Sequence, residues 1–460
     1  MPEITLIIDP QASEPIFIQI YRYVKEQIEQ GRFAPDSRMP SIRKTAAHLQ
    51  INKNTIDSAY QLLQADGYIY SKPKSGYYVS PRLSEHGTLS KRVPPSQPTR
   101  YRFRYNHVET AHFPFRIWNK LQSEHLRETH TWVHDAHAQG EPCLRRELCK
   151  YLLQTRGIQA LPEQIIIGSG TQQLLSLVCQ LMASEHAAVA IEEPGCDGAR
   201  QTLRNHGFEL AHIPIGKNGL DTDLLRQSQA RLLYVNPSHQ YLHRLVMPLD
   251  QRQSLLGWAR ECGGVIIEDD FEAEFRYRDR PLPAIAAMDK GEHAIYIGRF
   301  SPTLFPLFPF GYLVLPLPLL ASYRQRFKIY EQPISRMMQK TLHLFMERGY
   351  WTNYVERARR VYAAKQDTLL SALKLHLGDS IVVNGKDAGL HVLIEVNSPH
   401  SELELRQLAS NVGVRVYPTS RYWQDSEQMQ KPTLLLGVGV LSHEEIEAGV
   451  KLLRKAWFSK

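Results

Sequence analysis

The sequence predicts an α/β protein in two unequal parts: a small helical domain closed by a hairpin, and a large domain on a mainly parallel sheet. Three observations carry that prediction. Apolar residues recur at helical spacing three times before Gly67, then alternate across two short runs. From Ser80 to about Arg100 the periodicity stops, and Ser, Pro and basic residues take over. Beyond Tyr105, strand-like apolar runs alternate with amphipathic stretches, the pattern of a parallel sheet covered on both faces. The divisions expected are residues 1–80, a basic linker at 81–104 and a large domain at 105–460.

In the first part, "PIFIQIYRYVKEQIEQ" sets Phe17, Ile20, Val24 and Ile28 near helical spacing, and Gly31 ends the pattern. Ser41 after Pro40 is a natural N-cap for a short second helix with Thr45, Ala46 and Leu49 inward. Asn52 caps a third helix with Ile56, Ala59, Tyr60 and Leu63 on its buried face, closed by Gly67. "YIYS" and "YYVS" alternate around "KPKSG" and read as a hairpin. Three helices and a hairpin make the outline of a winged helix-turn-helix.

The first turn of the third helix exposes Lys53, Asn54 and Thr55, which reach base edges or phosphates when such a turn enters a major groove. Arg38, Ser41 and Arg43 flank the start of the second helix, where backbone N–H groups also attract phosphate. Lys72, Lys74 and the Ser75-Gly76 tip suit a wing lying along the backbone. Double-stranded DNA is therefore the expected partner. The plainer alternative is a small helical domain with solvated lysines. The order "PxxxQI…G…RMPSIRKTAAHL…NKNTIDSAYQLLQADGYI…SGYYV" resembles the GntR family of bacterial transcription regulators over nearly all of residues 15–80. That resemblance assigns the DNA contacts to Arg38, Ser41, Arg43, Lys53, Asn54, Thr55 and the wing.

The bulk numbers are permissive. A chain of 460 residues suits two or three domains, and 43% hydrophobic against 22% charged residues is an ordinary soluble balance. Prolines interrupt the best apolar run, "LVLPLPLLA", so no bilayer span and no membrane partner are expected. "MPEITLIIDP" lacks the basic start and cleavage site of a secretory signal. Cys143, Cys149, Cys179, Cys196 and Cys262 show no paired metal-ligand spacing, so reduced thiols, no metal and a cytoplasmic location are expected. The net charge of +8 permits an acidic polymer as partner. Much of that excess sits in the linker, where Lys91, Arg92, Arg100, Arg102 and Arg104 face only Glu85.

In the large part, the polar clusters fall at the carboxyl ends of the strands, where ligands sit in such sheets. "GSGTQQ" leads from a strand into a helix beginning near Gln172. The free N–H groups around Gly170, Thr171 and Gln172 and the helix dipole point at one spot, where a phosphate could rest. A tight strand-to-helix turn needs glycine in any case.

The ordering "GSGTQQLL", "EEPG", "NPSHQ", "IIEDD", "GRFSPTLFP", "GYLVLP" resembles the fold-type-I pyridoxal-phosphate aminotransferases. Within them it is similar to the domain of MocR-type, GabR-like regulators, which follows a GntR-like DNA-binding domain. "AHFPFRIW", "HAQGEPCLRREL" and "TRGIQALPEQIIIGSGTQ" resemble that subfamily too, and the likeness covers most of residues 105–460. It implies pyridoxal phosphate as family cofactor, a smaller α+β subdomain at about 360–460, and a homodimer.

Measured against that pattern, several positions depart. Pro302 stands where the resemblance places the Schiff-base lysine, and it offers neither an amine nor a backbone donor. Pro309 falls on the phosphate-binding arginine, and Arg299 on a Ser or Thr that helps hold the phosphate. Phe271 replaces a phenol, Cys196 a ring-flanking tyrosine, Gly198 an arginine, and Val440 the arginine that grips a substrate carboxylate. Tyr241-Leu242-His243-Arg244 replaces an aromatic-Pro-small-Gly turn. Asp269 matches the carboxylate that pairs with the pyridine nitrogen; its other reading is a strand-end aspartate in loop hydrogen bonds. Thr171 is either a phosphate contact or a plain helix cap. Arg299 and Arg244 either face solvent or bind an anion in the old cleft.

The reading that follows is a MocR/GntR-type transcription regulator without catalytic residues. Its cofactor is not held covalently: it is either absent or held by Gly170, Thr171, Gln172, Asp269 and Arg299. A small anion or B6 vitamer is the candidate effector. The alternatives are a working or residual pyridoxal-phosphate aminotransferase with an appended DNA-binding domain, and a large domain that binds nothing and only positions two DNA readers.

Overall fold

The computed structural model describes residues 4, 6, 14–29, 31–72, 75–80, 99–105, 112–126, 137–183, 188–216, 219–271, 274–275, 282–300, 309–385, 389–425 and 431–458. The chain divides into two compact units, Met1–Ser96 and Gln97–Lys460.

In the first unit, helices α1 (Ile16–Glu29), α2 (Ile42–Leu49) and α3 (Lys53–Ala65) precede the hairpin β1 (Ile69–Lys72) and β2 (Gly76–Val79). Ile20, Val24 and Ile28 of α1 meet Ile56, Ala59, Tyr60 and Leu63 of α3 in a core that also takes Met39, Ala46, Ile69 and Val79. Gly31 (φ 74°) and Gly67 (φ 78°) end α1 and α3 in the left-handed region, where a Cβ is costly. The buried Tyr60 hydroxyl donates to the Pro40 carbonyl at 3.0 Å and so fixes the backbone just ahead of α2. Arg38 bridges Tyr78 as a third edge of the hairpin.

The second unit is built on an eight-stranded sheet, ordered β4-β11-β10-β9-β8-β5-β6-β7. Its strands are β4 (Ile165–Gly168), β5 (Ala188–Glu193), β6 (Glu209–Gly216), β7 (Gly219–Leu220), β8 (Leu232–Val235), β9 (Val265–Asp270), β10 (Ala294–Arg299) and β11 (Gly311–Val314). β5, β6, β8, β9 and β10 run parallel, while β11 is antiparallel to both its neighbours. Strand alternation splits the core by face. Val189, Ile191, Tyr234 and Ile267 pack against the helices at 171–182 and 197–205. Ala190, Leu233, Val235 and Ile266 pack against the helix at 249–262.

A smaller lobe holds the sheet β12 (Ile381–Asn384), β13 (His391–Val396), β16 (Thr433–Gly437) and β15 (Tyr417–Pro418) beside helices at 350–376, 402–411 and 443–458. The basic linker ends sooner than its composition indicates. β3 (Tyr101–Arg102) pairs with β14 (Val414–Arg415), and Tyr101 and Phe103 are buried in this lobe's core. A Cβ on Gly449 would lie 2.7 Å from the Phe103 ring, so the glycine makes room for that anchor. Among the described residues no helix is long and apolar enough to cross a membrane, and no three His, Cys, Asp or Glu side chains are grouped to hold a metal ion.

Candidate functional site

In the first unit α2 and α3 each begin at a side-chain cap. The Ser41 side chain accepts from the Lys44 N–H at 3.3 Å, and Asn52 accepts from the Asn54 N–H at 2.9 Å. Each cap satisfies one orphan donor of its helix and leaves the other first-turn N–H groups facing outward. Gln50 takes a left-handed conformation (φ 54°) and turns the chain between α2 and α3.

Arg38, Ser41, Arg43, Lys53 and Asn54 are exposed, and Thr55 is half-buried against the domain. A Cβ on Gly76 (φ 104°) would stand 3.9 Å from the Arg38 guanidinium, so the hairpin tip and Arg38 are neighbours. The Lys72 ammonium lies 4.3 Å over the Tyr78 ring and 5.4 Å from that of Tyr70, which aims it along the hairpin. Lys74 lies outside the described residues. Sequence reasoning passed over Lys44, exposed beside Arg43, and the two tyrosines that hold Lys72.

In the second unit the cleft forms at the carboxyl ends of β4, β8, β9 and β10. The helix 171–182 starts one residue earlier than expected, and Gly170 (φ 115°), not Thr171, is its N-cap. Thr171 is therefore not a plain cap, and its buried Oγ1 has no hydrogen-bond partner. A Cβ on Gly170 would meet nothing within 4 Å, so the helix start is open on that side. The Ser169 N–H is already taken by Gln173 Oε1 at 3.0 Å, and Gln172 is exposed.

Asp269 is buried on the face shared with Tyr234, whose hydroxyl donates to Oδ2 at 2.5 Å. Oδ1 has no partner. Burial raises the Asp269 pKa, while Arg299 and the Tyr234 hydroxyl pull it the other way. Arg299 loses hydration through burial, but Asp269 and the tyrosines 241 and 234 more than offset that, and its pKa is raised.

The two new arginines do not face solvent. Arg244 is buried and Arg299 half-buried, and their guanidinium groups stand 5.6 and 5.2 Å from the Phe271 ring. Tyr241 flanks the same ring at 5.1 Å. Phe271, which cannot donate a hydrogen bond, thus has two guanidinium groups over its ring. A Cβ on Gly385 would lie 2.7 Å from Arg244 Cγ, so the small lobe closes on the arginine stem. Burial, then Asp269, pushes the Cys196 thiol up to about 11. Pro309 and Val440 are exposed, and Pro302 lies outside the described residues.

A basic winged helix-turn-helix in one chain with an aminotransferase-type domain defines a DNA-binding regulator whose second domain has an enzyme's fold. Residues 18–79 match the bacterial regulatory proteins of the gntR family. Over 99% of both chains the sequence is 34% identical to YdeL of Bacillus subtilis (strain 168), an uncharacterized HTH-type transcriptional regulator. It is 29% identical to the probable rhizopine catabolism regulatory protein MocR of Rhizobium meliloti, over 99% of this chain and 96% of MocR. The structure of LysN, the alpha-aminoadipate aminotransferase of Thermus thermophilus, matches with a TM-score of 0.68 and 26% identity, covering 77% of this chain and 91% of LysN. The chain belongs to the MocR-type transcriptional regulators with a GntR DNA-binding domain.

Proposed function

We propose that this regulator binds paired DNA half-sites as a homodimer, and that its aminotransferase-type domain senses a small anion without transaminating. The observation that carries the DNA reading is the pair of capped helix starts, around which Arg38, Ser41, Arg43, Lys53 and Asn54 are exposed and Thr55 is half-buried. The α3 start enters the major groove with Asn54 reading a base edge. Arg43 and the α2 start hold phosphate, and Lys72, Lys74 and Gly76 run along the backbone.

The cleft's free groups fit the non-covalent ends of pyridoxal phosphate. Thr171 Oγ1 and the helix start suit the phosphate, and Asp269 Oδ1 suits the pyridine nitrogen. When bound in an enzyme, that cofactor supplies an electron sink for carbanion chemistry. Here Arg299 and Arg244 against Phe271 favour holding an anion, and Pro302 stands where the amine would be.

Titration calorimetry with pyridoxal 5′-phosphate on the wild type and Arg299→Ala tests the sensing. Loss of affinity in the variant is expected, and identical heats would remove the idea. A working aminotransferase is the second reading, favoured by the unpartnered Asp269 Oδ1. A borohydride-trappable visible band with amino-to-keto turnover would establish it instead.

A further inference from the structure

The basic run that enters the second unit ends beside a cavity on the smaller lobe. Its volume is about 430 Å³. Leu403 and Arg406 reach it from the helix 402–411, Arg415 from β14, Tyr417 from β15, and Tyr105 from the segment after β3. The parallel pairing of β3 with β14 sets Arg102 beside Arg415, so the cations of the entering segment join those of the wall.

These cations lack counter-charges. Arg102, Arg104, Arg406 and Arg415 are exposed, and none of their guanidinium groups forms an ion pair among the described residues. Arg421, at the rim, is the exception, paired with Asp197. Glu402 also lines the cavity, but its carboxylate is already committed. Its Oε1 accepts the Thr419 N–H at 2.5 Å and the Thr419 hydroxyl at 2.9 Å, and its Oε2 accepts the Ser420 N–H at 3.1 Å. Glu404 is turned back to the Ser401 N–H at 2.7 Å. The Arg415 guanidinium lies 5.7 Å over the Tyr417 ring. Burial raises the Tyr417 pKa, while Arg415, Arg104 and Arg102 all pull it the other way. Three cations therefore act on one phenol. Like charges gathered in this way repel, and an anion among them relieves the repulsion.

The rest of the wall is apolar. Leu403 is 61% exposed, Pro418 is half-buried, and the Tyr105 and Tyr417 rings meet edge to face at 5.1 Å. Guanidinium forks match phosphoryl oxygens, and an apolar flank suits an organic group. We propose that this cavity binds a small phosphate monoester, with Arg406 and Arg415 on the phosphoryl oxygens and the organic group against Leu403, Pro418 and Tyr417. A duplex backbone supplies the same charge but nothing apolar to cover Leu403. The site shares no residue with the cleft around Asp269 and stands whether or not that cleft binds anything.

Calorimetric titration of the full-length protein with phenyl phosphate at pH 8, at constant ionic strength, tests the assignment. Inorganic phosphate and phenol carry the charge and the ring separately. Phenyl phosphate is expected to bind at least ~10-fold tighter than either, with ~10-fold loss in Arg406→Gln and in Arg415→Gln, since a hydrogen bond to a charged group contributes about that much. Both side chains are exposed, so the variants should keep the wild-type melting curve. Arg299→Ala should leave the affinity unchanged. The proposal fails if wild type gives no binding, if phenol or inorganic phosphate binds equally well, or if both glutamine variants keep wild-type affinity. Loss in Arg299→Ala would move the ligand to the cleft and equally refute it. Glutamine variants that weaken binding to duplex DNA but not to phenyl phosphate would make this face a nucleic-acid contact instead.

Discussion

Arg156 Nη2 stands 2.6 Å from Asp270 Oδ2 in the sheet interior, donates to Ser238 Oγ at 2.6 Å, and shares that carboxylate with the Tyr296 hydroxyl at 2.7 Å. One residue earlier, Asp269 points to the other face, where the Tyr234 hydroxyl donates to its Oδ2 and Arg299 stands nearby. The pair "DD" therefore combines an aspartate ion-paired to Arg156 with one on the opposite face, which the proposed reading assigns to the ligand. Breaking a buried ion pair from one side costs about 3–5 kcal/mol, so Asp270→Asn should lose roughly 3 kcal/mol in urea unfolding. Asp269→Asn should behave differently. Its carboxyl has a raised pKa because of burial, so the folded state holds the proton more tightly than the unfolded chain. The stability this contributes is present at acid pH and lost as pH rises through the folded pKa. Asp269→Asn should therefore gain on wild type as pH climbs from the acid side to neutrality, while pyridoxal-phosphate affinity falls. A variant as damaging as Asp270→Asn would contradict the assignment of roles.

At the scale of elements, α3 is set by its cap and its buried tyrosine. Asn52→Ala removes the acceptor for the Asn54 N–H, which costs about 1 kcal/mol and frays the turn that carries Lys53 and Asn54. Weaker binding to all duplexes is the expected outcome. Asn54→Ala should instead relax sequence preference by about 1–3 kcal/mol at one base position; competition assays with single-base operator variants separate the two. Helix faces such as Ile56, Ala59, Tyr60 and Leu63 were legible because a one-sided 3.6-residue pattern has few other causes. Six of the eight sheet strands were legible as continuous apolar runs, since strands buried on both faces read that way. β6 was not, because at the sheet margin most of its residues are only half-buried or exposed. β3 was hidden by its arginines, although Tyr101 and Phe103 keep an alternating buried face. The cleft's strand-end residues were visible as motifs. The contact of Arg244 and Arg299 with Phe271 was not, because it joins a strand end and two turns through side chains whose direction a sequence does not give.

For the whole molecule, the decisive quantity is how many DNA readers engage at once. A winged helix whose candidate phosphate contacts among the described residues are Arg38, Arg43, Lys44, Lys53 and Lys72 neutralises only a few phosphates. Each contributes about −0.9 to the slope of log K against log salt. One such module binds weakly near physiological salt, so the proposed homodimer would gain its selectivity from a second module held close by. Half-sites are then spaced by about one helical turn, ~34 Å, or a multiple of it. The gain from the second contact is an effective-concentration term, worth about 10²–10⁴-fold in affinity. Deleting one half-site from a selected operator should therefore weaken binding of the full-length protein by about that factor. The salt slope should fall to about half its value in the same experiment, because half of the released counterions are gone. Fluorescence anisotropy over a salt series reads both quantities from one set of curves. An affinity lost with an unchanged slope would mean that the deleted bases were read without phosphate anchoring. No change in either would mean that a single winged helix does all the reading, and the dimer would have no role in recognition.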